Sequence, residues 1–258
     1  VLFVHHPDSG PAYAVVGWAG IVWGLSGMNA RGLAGACNPS DTLNNSVVRG
    51  LIDQLADFDH AKLLASGQPV GVFLRRALQG DGTVDEVVTR AKNTRHAFGW
   101  SCLFADAQNG LRALELDADF DHSGGVTDFG PGEAPVENGR PYASLTPDDL
   151  RIGAHFAKHR DDVPELTLAG QRLHPQAGYS SFFFRSLAAT ARVEQELARR
   201  RGTLDASSAM EVLQVPELVD PTDSMNAVVF EPGARRLWTA MGAEPAMDAP
   251  FEAEVLDE

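Results

Sequence analysis

The chain has 258 residues, enough to bury one substantial core, and no Gly/Ser linker or block of charge divides it. Its net charge of -14 would repel phosphate backbones and anionic membrane surfaces. Nucleic acid and membranes are therefore poor candidate partners, and a small neutral or cationic substrate fits better. The sequence contains no apolar run near the roughly 18 to 20 residues of a membrane span. We expect a single domain over residues 1–258.

The first forty residues predict two β-hairpins. Residues 2–5 and 12–18 are rich in Val and aromatic side chains and flank a turn that contains Pro and Gly. Residues 21–25 and 33–37 flank a second turn, whose Asn and Gly residues suit a positive φ. The N-terminal part of the chain is therefore predicted to be antiparallel β-structure.

Several later segments show the periodicity of amphipathic helices. Apolar residues recur at helical spacing over residues 46–58 and again over residues 70–78. A third helix is predicted to begin at Thr83, a suitable N-cap that is followed by acidic residues in the first turn. Residues 182–200 show a strong amphipathic pattern and residues 206–213 a shorter one.

Further strands are predicted in the middle and near the end of the chain. Residues 98–105 and 111–116 predict one hairpin, and residues 226–231 with 235–241 predict a closing hairpin. The Gly-rich stretch 117–144 is predicted to be a long surface loop. Strands and helices thus follow one another in blocks, which predicts a layered α+β architecture rather than a doubly wound parallel sheet.

Two strings in the first predicted strands carry a family resemblance. They are V-G-W-A-G at residues 16–20 and L-S-G-M-N-A-R-G-L-A at residues 25–34, and they are followed by Asn38. In these strings the chain resembles the acyl-CoA:6-aminopenicillanic acid acyltransferase-like family, in which a G-W-x-G strand leads into G-M-N-x-x-G-L-A and then an Asn. Blocks in the family's order follow later, so the resemblance covers most of the chain. These blocks lie at residues 69–78, 83–87, 103–115 and 228–232.

The resemblance implies a four-layer αββα sandwich of the N-terminal-nucleophile hydrolase type. In such enzymes, autoproteolytic cleavage exposes a Cys at the start of the first strand, and its own α-amino group serves as general base. The thiol attacks an amide carbonyl, and the acyl-enzyme passes its acyl group to water or to an amine. The implied function is that of an amide hydrolase or acyltransferase acting on a small-molecule amide or acyl donor, with no cofactor and no metal.

The resemblance also implies that the nucleophile lies outside this chain. The family's Cys precedes the G-W-x-G strand by several tens of residues, and no Cys precedes that strand here. Because Val1 leads directly into a predicted strand, we expect the chain to begin inside the fold, without the fold's first strand. A missing N-terminal segment or a separate chain would then supply the Cys. The alternative is a non-catalytic binding or scaffold relative of the same fold.

Two residues are carried over from the resemblance as candidate catalytic groups. Asn38 matches a family Asn whose amide N–H can stabilise an oxyanion, although Asn before Pro is also common in turns. Arg185 matches an arginine kept near the nucleophile in related amide hydrolases, with a solvated helix arginine as the alternative. Ala154 stands where the family commonly has a further oxyanion-binding Asn, and this departure favours the non-catalytic alternative.

The cysteines and histidines of the chain indicate no additional centre. Cys37 is the obvious alternative nucleophile, but its apolar strand predicts a small, buried and unreactive thiol. Cys37 and Cys102 could form one disulfide, although nothing in the sequence requires it, and their separation excludes a zinc site of paired cysteines. His155 and His159 have i, i+4 spacing without a distinctive carboxylate ligand, so we interpret them as surface histidines.

Overall fold

The computed structural model describes the chain in several stretches. These are residues 1–21, 23–39, 67–97, 100–116, 126–132, 136–137, 140–141, 192–193, 195–215 and 224–257. All structural features reported below belong to these residues.

Seven strands among the described residues form one antiparallel sheet, called the larger sheet below. The strands are β1 (Leu2–His5), β2 (Tyr13–Gly17), β3 (Gly24–Asn29), β4 (Ala34–Pro39), β5 (Trp100–Ala105), β6 (Leu111–Leu116) and β7 (Val126–Phe129). Their order in the sheet is their order in the chain, so each strand pairs with the next. Antiparallel neighbours can be joined by short turns, which explains why this meander follows from the predicted hairpins.

The two hairpins predicted at the N-terminal end are confirmed. β1 pairs with β2, and β3 pairs with β4. Gly32 takes up the left-handed region in the second turn, with φ of +82°. Asn29, to which the sequence analysis gave the same role, is instead a strand residue with a fully buried side chain.

Two helices, α1 (Val70–Gly80) and α2 (Val84–Lys92), cover one face of the larger sheet. The apolar residues of the two helices form a core with strand side chains. These side chains come from alternate positions along each strand, which face the helices. The helix residues buried in this core are Val70, Phe73, Leu74, Ala77, Leu78, Val84, Val87 and Ala91. The apolar periodicity predicted over residues 70–78 and from Thr83 onward is therefore confirmed as the buried stripe of each helix.

A capping box confirms the predicted helix start at Thr83. The Thr83 hydroxyl accepts a hydrogen bond from the backbone N–H of Glu86 at 3.3 Å, and the Glu86 carboxylate accepts one from the backbone N–H of Thr83 at 3.1 Å. A hydrogen bond from the Gly82 N–H is the largest of the interactions that lower the pKa of Glu86. These contacts satisfy N–H groups that the first turn of a helix leaves without partners.

The stretch predicted as a long surface loop, residues 117–144, contains regular structure. β7 pairs with β6 at the edge of the larger sheet, and two short strands, β8 (Val136–Glu137) and β9 (Arg140–Pro141), pair with each other. The loop prediction is wrong because burial of apolar side chains favours a strand more than the neighbouring glycines favour a loop. Val126 packs against the helix-side core and Phe129 is buried, so burial stabilises a strand here.

Three strands near the end of the chain form the smaller sheet of the described residues. They are β10 (Asn226–Glu231), β11 (Arg236–Met241) and β12 (Glu252–Val255). β10 and β11 pair as the predicted closing hairpin, and β12 adds a strand that the sequence analysis did not predict. Before them in the chain lies α3 (Ala206–Leu213), the shorter helix predicted over these residues, with Asp205 as its N-cap.

The two sheets pack face to face through a core that is rich in small side chains. Its buried members are Ala12, Ala14, Met28, Ala30 and Ala34 from the larger sheet and its turns, and Leu237 and Leu256 from the C-terminal part. The alanines allow the sheets to approach closely, and the two leucines fill the remaining space. This stacking follows from the alternation of side chains along β2, β3 and β4, which carries apolar groups to both faces of the larger sheet.

α3 supplies a helical layer beside the smaller sheet. Ala227 and Ala240 are opposite each other in register, and both are buried on the face away from Leu237. α3 contacts β10, and its Val212 is buried. The layers therefore run helices, larger sheet, smaller sheet and helix. This order is the α+β, αββα architecture predicted above.

Some predicted elements fall wholly or partly outside the described residues. The predicted helix at 46–58 lies outside them. Residues 192–193 and 195–199 are helical, in agreement with the end of the helix predicted at 182–200, and its earlier part lies outside. Within the described stretches, no helix is long and apolar enough to cross a membrane.

Candidate functional site

Asn38 is the last residue but one of β4, and its side chain is exposed. Side chains along a strand alternate between the two faces of the sheet. Cys37 belongs to the core beneath α1 and α2, whereas Ala34 belongs to the core between the sheets. Asn38 is four residues after Ala34 and shares its face. The candidate oxyanion donor is therefore carried on the side of β4 that faces the smaller sheet.

A row of polar residues crosses the larger sheet from Asn38. In the strand register, Asn38 lies opposite Ser101, Ser101 opposite Glu115, and Glu115 opposite Thr127. Ser101 and Glu115 are each only 3% exposed. Because their neighbours Cys102 and Leu114 face the helices, these polar side chains lie on the other face of the larger sheet. The row thus runs from exposed Asn38 to buried residues on the face of the larger sheet that is turned away from the helices.

The buried members of this row, Ser101 and Glu115, were not predicted from the sequence. Ser101 and Glu115 each interact with other groups in the protein, so they are integrated into the interior. A sequence signal did exist, since Glu115 stands between Leu114 and Leu116 in a predicted strand. The alternation of side chains along a strand predicts which face of the sheet such a residue lies on. It does not predict the neighbours on adjacent strands, because these depend on the strand register.

A disulfide occupies the opposite face of the same strand pair. Cys37 and Cys102 are opposite each other in β4 and β5, and their sulfur atoms are bonded. Both residues are buried, at 2% and 0% exposure. The disulfide that the sequence allowed is therefore present. Cys37 carries no thiol in this structure, in agreement with its interpretation as a packing residue.

Asn29, the Asn of the G-M-N string, has a structural role. Its Nδ2 group donates hydrogen bonds to the backbone carbonyls of Leu78 and Asp81, and its Oδ1 atom accepts hydrogen bonds from the backbone N–H groups of Arg31 and Leu33. The side chain is fully buried. These contacts tie the turn between β3 and β4 to the C-terminal end of α1. They place Asn29 in the scaffold, whereas Asn38 is exposed to solvent.

A second polar cluster lies between β1, β2 and α1, on the helix side of the larger sheet. The Tyr13 hydroxyl accepts hydrogen bonds from Arg75 Nε and Gln79 Nε2, both at 3.0 Å. The His5 ring stacks on Tyr13 with centroids 4.6 Å apart. Burial, together with the nearby Arg75 guanidinium, lowers the pKa of His5. This cluster is two to three strands away from Asn38 and on the other face of the sheet, and its hydrogen bonds join α1 to β2.

The structure locates only one of the two candidate catalytic residues. Arg185 lies outside the described residues, and so do Ala154, His155 and His159. In the stretches that the structure does describe, no group of three or more His, Cys, Asp or Glu residues is arranged to hold a metal ion. The candidate site therefore consists of Asn38 and the polar row behind it.

Comparison by sequence supports the resemblance found in the strings. The sequence model of the acyl-coenzyme A:6-aminopenicillanic acid acyl-transferase family matches residues 1–121. This match confirms the family resemblance. The matched part includes β1 to β6 and the two helices, α1 and α2, that cover one face of the sheet. It also includes Asn38 and Ser101, which are opposite each other in β4 and β5. No individually curated protein gives a sequence match.

Comparison with solved structures finds matches that include the following three. A Caenorhabditis elegans N-acylethanolamine-hydrolyzing acid amidase ortholog is 11% identical, with 99% of this chain and 86% of that chain covered and a TM-score of 0.48. A conjugated bile acid hydrolase variant from Clostridium perfringens is 11% identical, with coverages of 95% and 77% and a TM-score of 0.48. Penicillin V acylase from Agrobacterium tumefaciens is 12% identical, with coverages of 89% and 63% and a TM-score of 0.41. The fold assignment rests on the strand pairing and layer order described above.

Proposed function

We propose that this protein is an amide hydrolase or acyltransferase that uses an N-terminal Cys nucleophile. The observation that supports this most strongly is the position of Asn38. It lies within the stretch that matches the acyltransferase family, it is exposed, and it is carried on the face of β4 toward the smaller sheet. The αββα layers that the resemblance implies provide the second support.

In the proposed reaction, the cysteine thiol transfers its proton to its own α-amino group and attacks the amide carbonyl carbon. The carbonyl oxygen becomes an oxyanion, and the Asn38 Nδ2–H donates a hydrogen bond to it. Collapse of the tetrahedral intermediate breaks the C–N bond, and the leaving amine takes the proton from the α-ammonium group. Water or a second amine then attacks the thioester and regenerates the thiol.

Neither cysteine of the chain fits the role of nucleophile. The sequence contains two cysteines, and both are bonded to each other in the core on the helix side of the larger sheet. A sulfur in a disulfide has no proton to lose and cannot form a thioester without first being reduced. We therefore propose that the reactive Cys comes from outside residues 1–258, either on a preceding segment or on a separate chain.

The charge of the chain bears on the proposed substrate. With a net charge of -14, the protein attracts cations and repels anions over distances set by the ionic strength. A small amide whose amine portion is neutral or cationic suits this field. The acyl donor is accordingly proposed to be a small molecule with no phosphate group.

A binding or scaffold role is the second candidate. The observation that favours it is Ala154, which stands where the resembled family commonly has an oxyanion-binding Asn. Loss of one oxyanion donor typically lowers turnover by roughly 10² to 10³. A protein that had also lost its nucleophile would keep the fold and bind ligand without turnover.

Thiol labelling of the protein as its gene encodes it separates these candidates. The protein would be incubated with small acyl amides, and any acylated residue would be located by mass spectrometry of peptides. The proposed function predicts acylation of an N-terminal Cys and loss of turnover after alkylation of that residue. The matched control is the C37A/C102A variant, which should still be acylated at the same residue. Turnover that resists thiol alkylation, or binding without acylation, would reject the proposed mechanism.

A further inference from the structure

The disulfide and the candidate oxyanion donor occupy adjacent positions on the same two strands. Cys37 lies directly opposite Cys102, and the next pair along the ladder is Asn38 and Ser101. The Cα atoms of the two cysteines are 4.0 Å apart. The cross-link therefore joins the backbones of β4 and β5 one residue away from Asn38. It does so from the helix side, while Asn38 faces the other sheet.

Among the described residues, the end of β4 is held by its pairing with β5 and by this cross-link. The residue after Asn38 is Pro39, which lies opposite Trp100 at the end of the ladder. Proline has no backbone N–H and so cannot donate to the neighbouring strand. Asn38 itself is exposed, so packing does not fix its side chain as it fixes the buried residues earlier in β4. Within the part of the chain that the structure describes, the covalent bond at Cys37 is thus the strongest restraint on the backbone at this end.

We propose that the Cys37–Cys102 disulfide is a positioning element of the candidate active site, holding Asn38 where its amide can meet the oxyanion. The proposal rests on the function proposed above. It makes turnover depend on the oxidation state of a cysteine pair that takes no part in the chemistry. A displacement of about 1 Å in a catalytic group can cost on the order of 100-fold in rate. Loss of the cross-link should therefore lower kcat.

The rest of the fold does not depend on the cross-link alone. β4 and β5 pair along their whole length, from Ala34 opposite Ala105 to Pro39 opposite Trp100. Apolar residues of α1 and α2 bury the helix face of both strands. A variant without the cysteines should thus keep the sheet, and the effect should concentrate at the exposed strand end. This expectation separates positioning from a purely stabilising role.

The test compares kcat, KM and melting temperature for the protein as its gene encodes it and for its C37A/C102A variant. Rates are measured well below the melting temperature of each form. We expect kcat to fall by about tenfold or more while KM changes by less than about threefold. The matched control is Val212→Ala, which removes buried volume in α3, a helix that packs beside the smaller sheet. It should lower the melting temperature and leave kcat unchanged.

A double-mutant cycle with Asn38→Ala supplies the decisive comparison. If the disulfide acts through Asn38, removing the cysteines should have little further effect on kcat in the Asn38→Ala background. An equal fall in both backgrounds, or an unchanged kcat in the cysteine-free variant, would overturn the inference. If Asn38→Ala alone is fully active, the assigned role of Asn38 fails and this inference fails with it. If Asn38→Ala is impaired and the cysteine-free variant is not, only this inference fails.

Reduction of the unmodified protein gives a second measurement that does not require the variant to fold. A dithiol reductant supplies two electrons, becomes a disulfide itself and converts Cys37 and Cys102 to two thiols. The reduced fraction is determined by alkylation and mass spectrometry, with the N-terminal Cys peptide monitored separately. Turnover should fall in proportion to the reduced fraction. Full turnover after complete reduction of this pair would contradict the proposal.

Discussion

Asn29 donates a hydrogen bond from Nδ2 to the backbone carbonyl of Asp81 over 2.8 Å, although the two residues are 52 positions apart in the chain. The same Nδ2 group reaches the carbonyl of Leu78, and Oδ1 accepts from the backbone N–H groups of Arg31 and Leu33. A carboxamide has two donor hydrogens and two acceptor lone pairs. Asn29 makes as many hydrogen bonds as its amide allows, in a fully buried position.

Asn29→Ala should strongly destabilise the fold. It leaves buried N–H and C=O groups without partners, and each such group costs roughly 1 to 3 kcal/mol. We expect the free energy of unfolding, measured with urea, to fall by about 3 kcal/mol or more. Asn93→Ala is the matched control, because Asn93 donates to the Thr89 carbonyl in an exposed position. A loss at Asn29 no greater than the loss at Asn93 would contradict the structural role.

Thr83→Ala should remove the capping box of α2 with a smaller effect. The variant loses the hydroxyl that accepts the backbone N–H of Glu86. Replacing an N-cap residue by Ala typically costs about 1 kcal/mol. Urea unfolding should therefore show a modest loss of that size. Thr89→Ala, in the exposed middle of the same helix, is the control and should change stability less.

His96 should make stability depend on pH. The ring is 2% exposed, and its Nε2 lies 3.2 Å from the Ala91 carbonyl. Burial lowers the pKa of His96 from 6.5 to about 4, against a smaller raising effect of the hydrogen bond to Ala91. Between these values the unfolded chain binds a proton that the folded chain does not. Stability should therefore fall as the pH drops from 6.5 toward 4, by about 3 kcal/mol from this residue.

The measurement for His96 is the difference in unfolding free energy between the unmodified protein and His96→Gln at several pH values. Glutamine can still donate to the Ala91 carbonyl but does not titrate. The variant should lose the part of the pH dependence that His96 contributes, while other titrating groups act equally in both proteins. Parallel curves over the pH range 4 to 6.5 would show that His96 is not responsible.

Much of the fold follows from local sequence patterns. Apolar periodicity locates α1, and the Thr83 cap locates the start of α2, because both signals lie within a few neighbouring residues. Alternation likewise assigns the faces of β4 and β5. The partner of Asn29 across 52 residues and the pairing of Asn38 with Ser101 cannot be read in this way. The first depends on how α1 packs on the sheet and the second on how separated strands align, and no local pattern specifies either.

The candidate site shows the same division between local and long-range information. A family pattern in the sequence points to Asn38, but the buried Ser101 and Glu115 behind it become apparent only from the register. The bond between Cys37 and Cys102 is compatible with the sequence but not required by it. Because side chains alternate along each strand, both cysteines face the helices. The pairing of β4 with β5 then brings the two sulfur atoms together.

Turnover of a small acyl amide by the protein as its gene encodes it, compared with its Asn38→Ala variant, tests the central claim most directly. Removal of one oxyanion donor should lower kcat by roughly 10² to 10³. The melting temperature should change little, because the Asn38 side chain is exposed. Ser26→Ala, on the same face of neighbouring β3, is the matched control and should keep normal kcat. A kcat for Asn38→Ala within about threefold of the unmodified protein would contradict the role assigned to this residue.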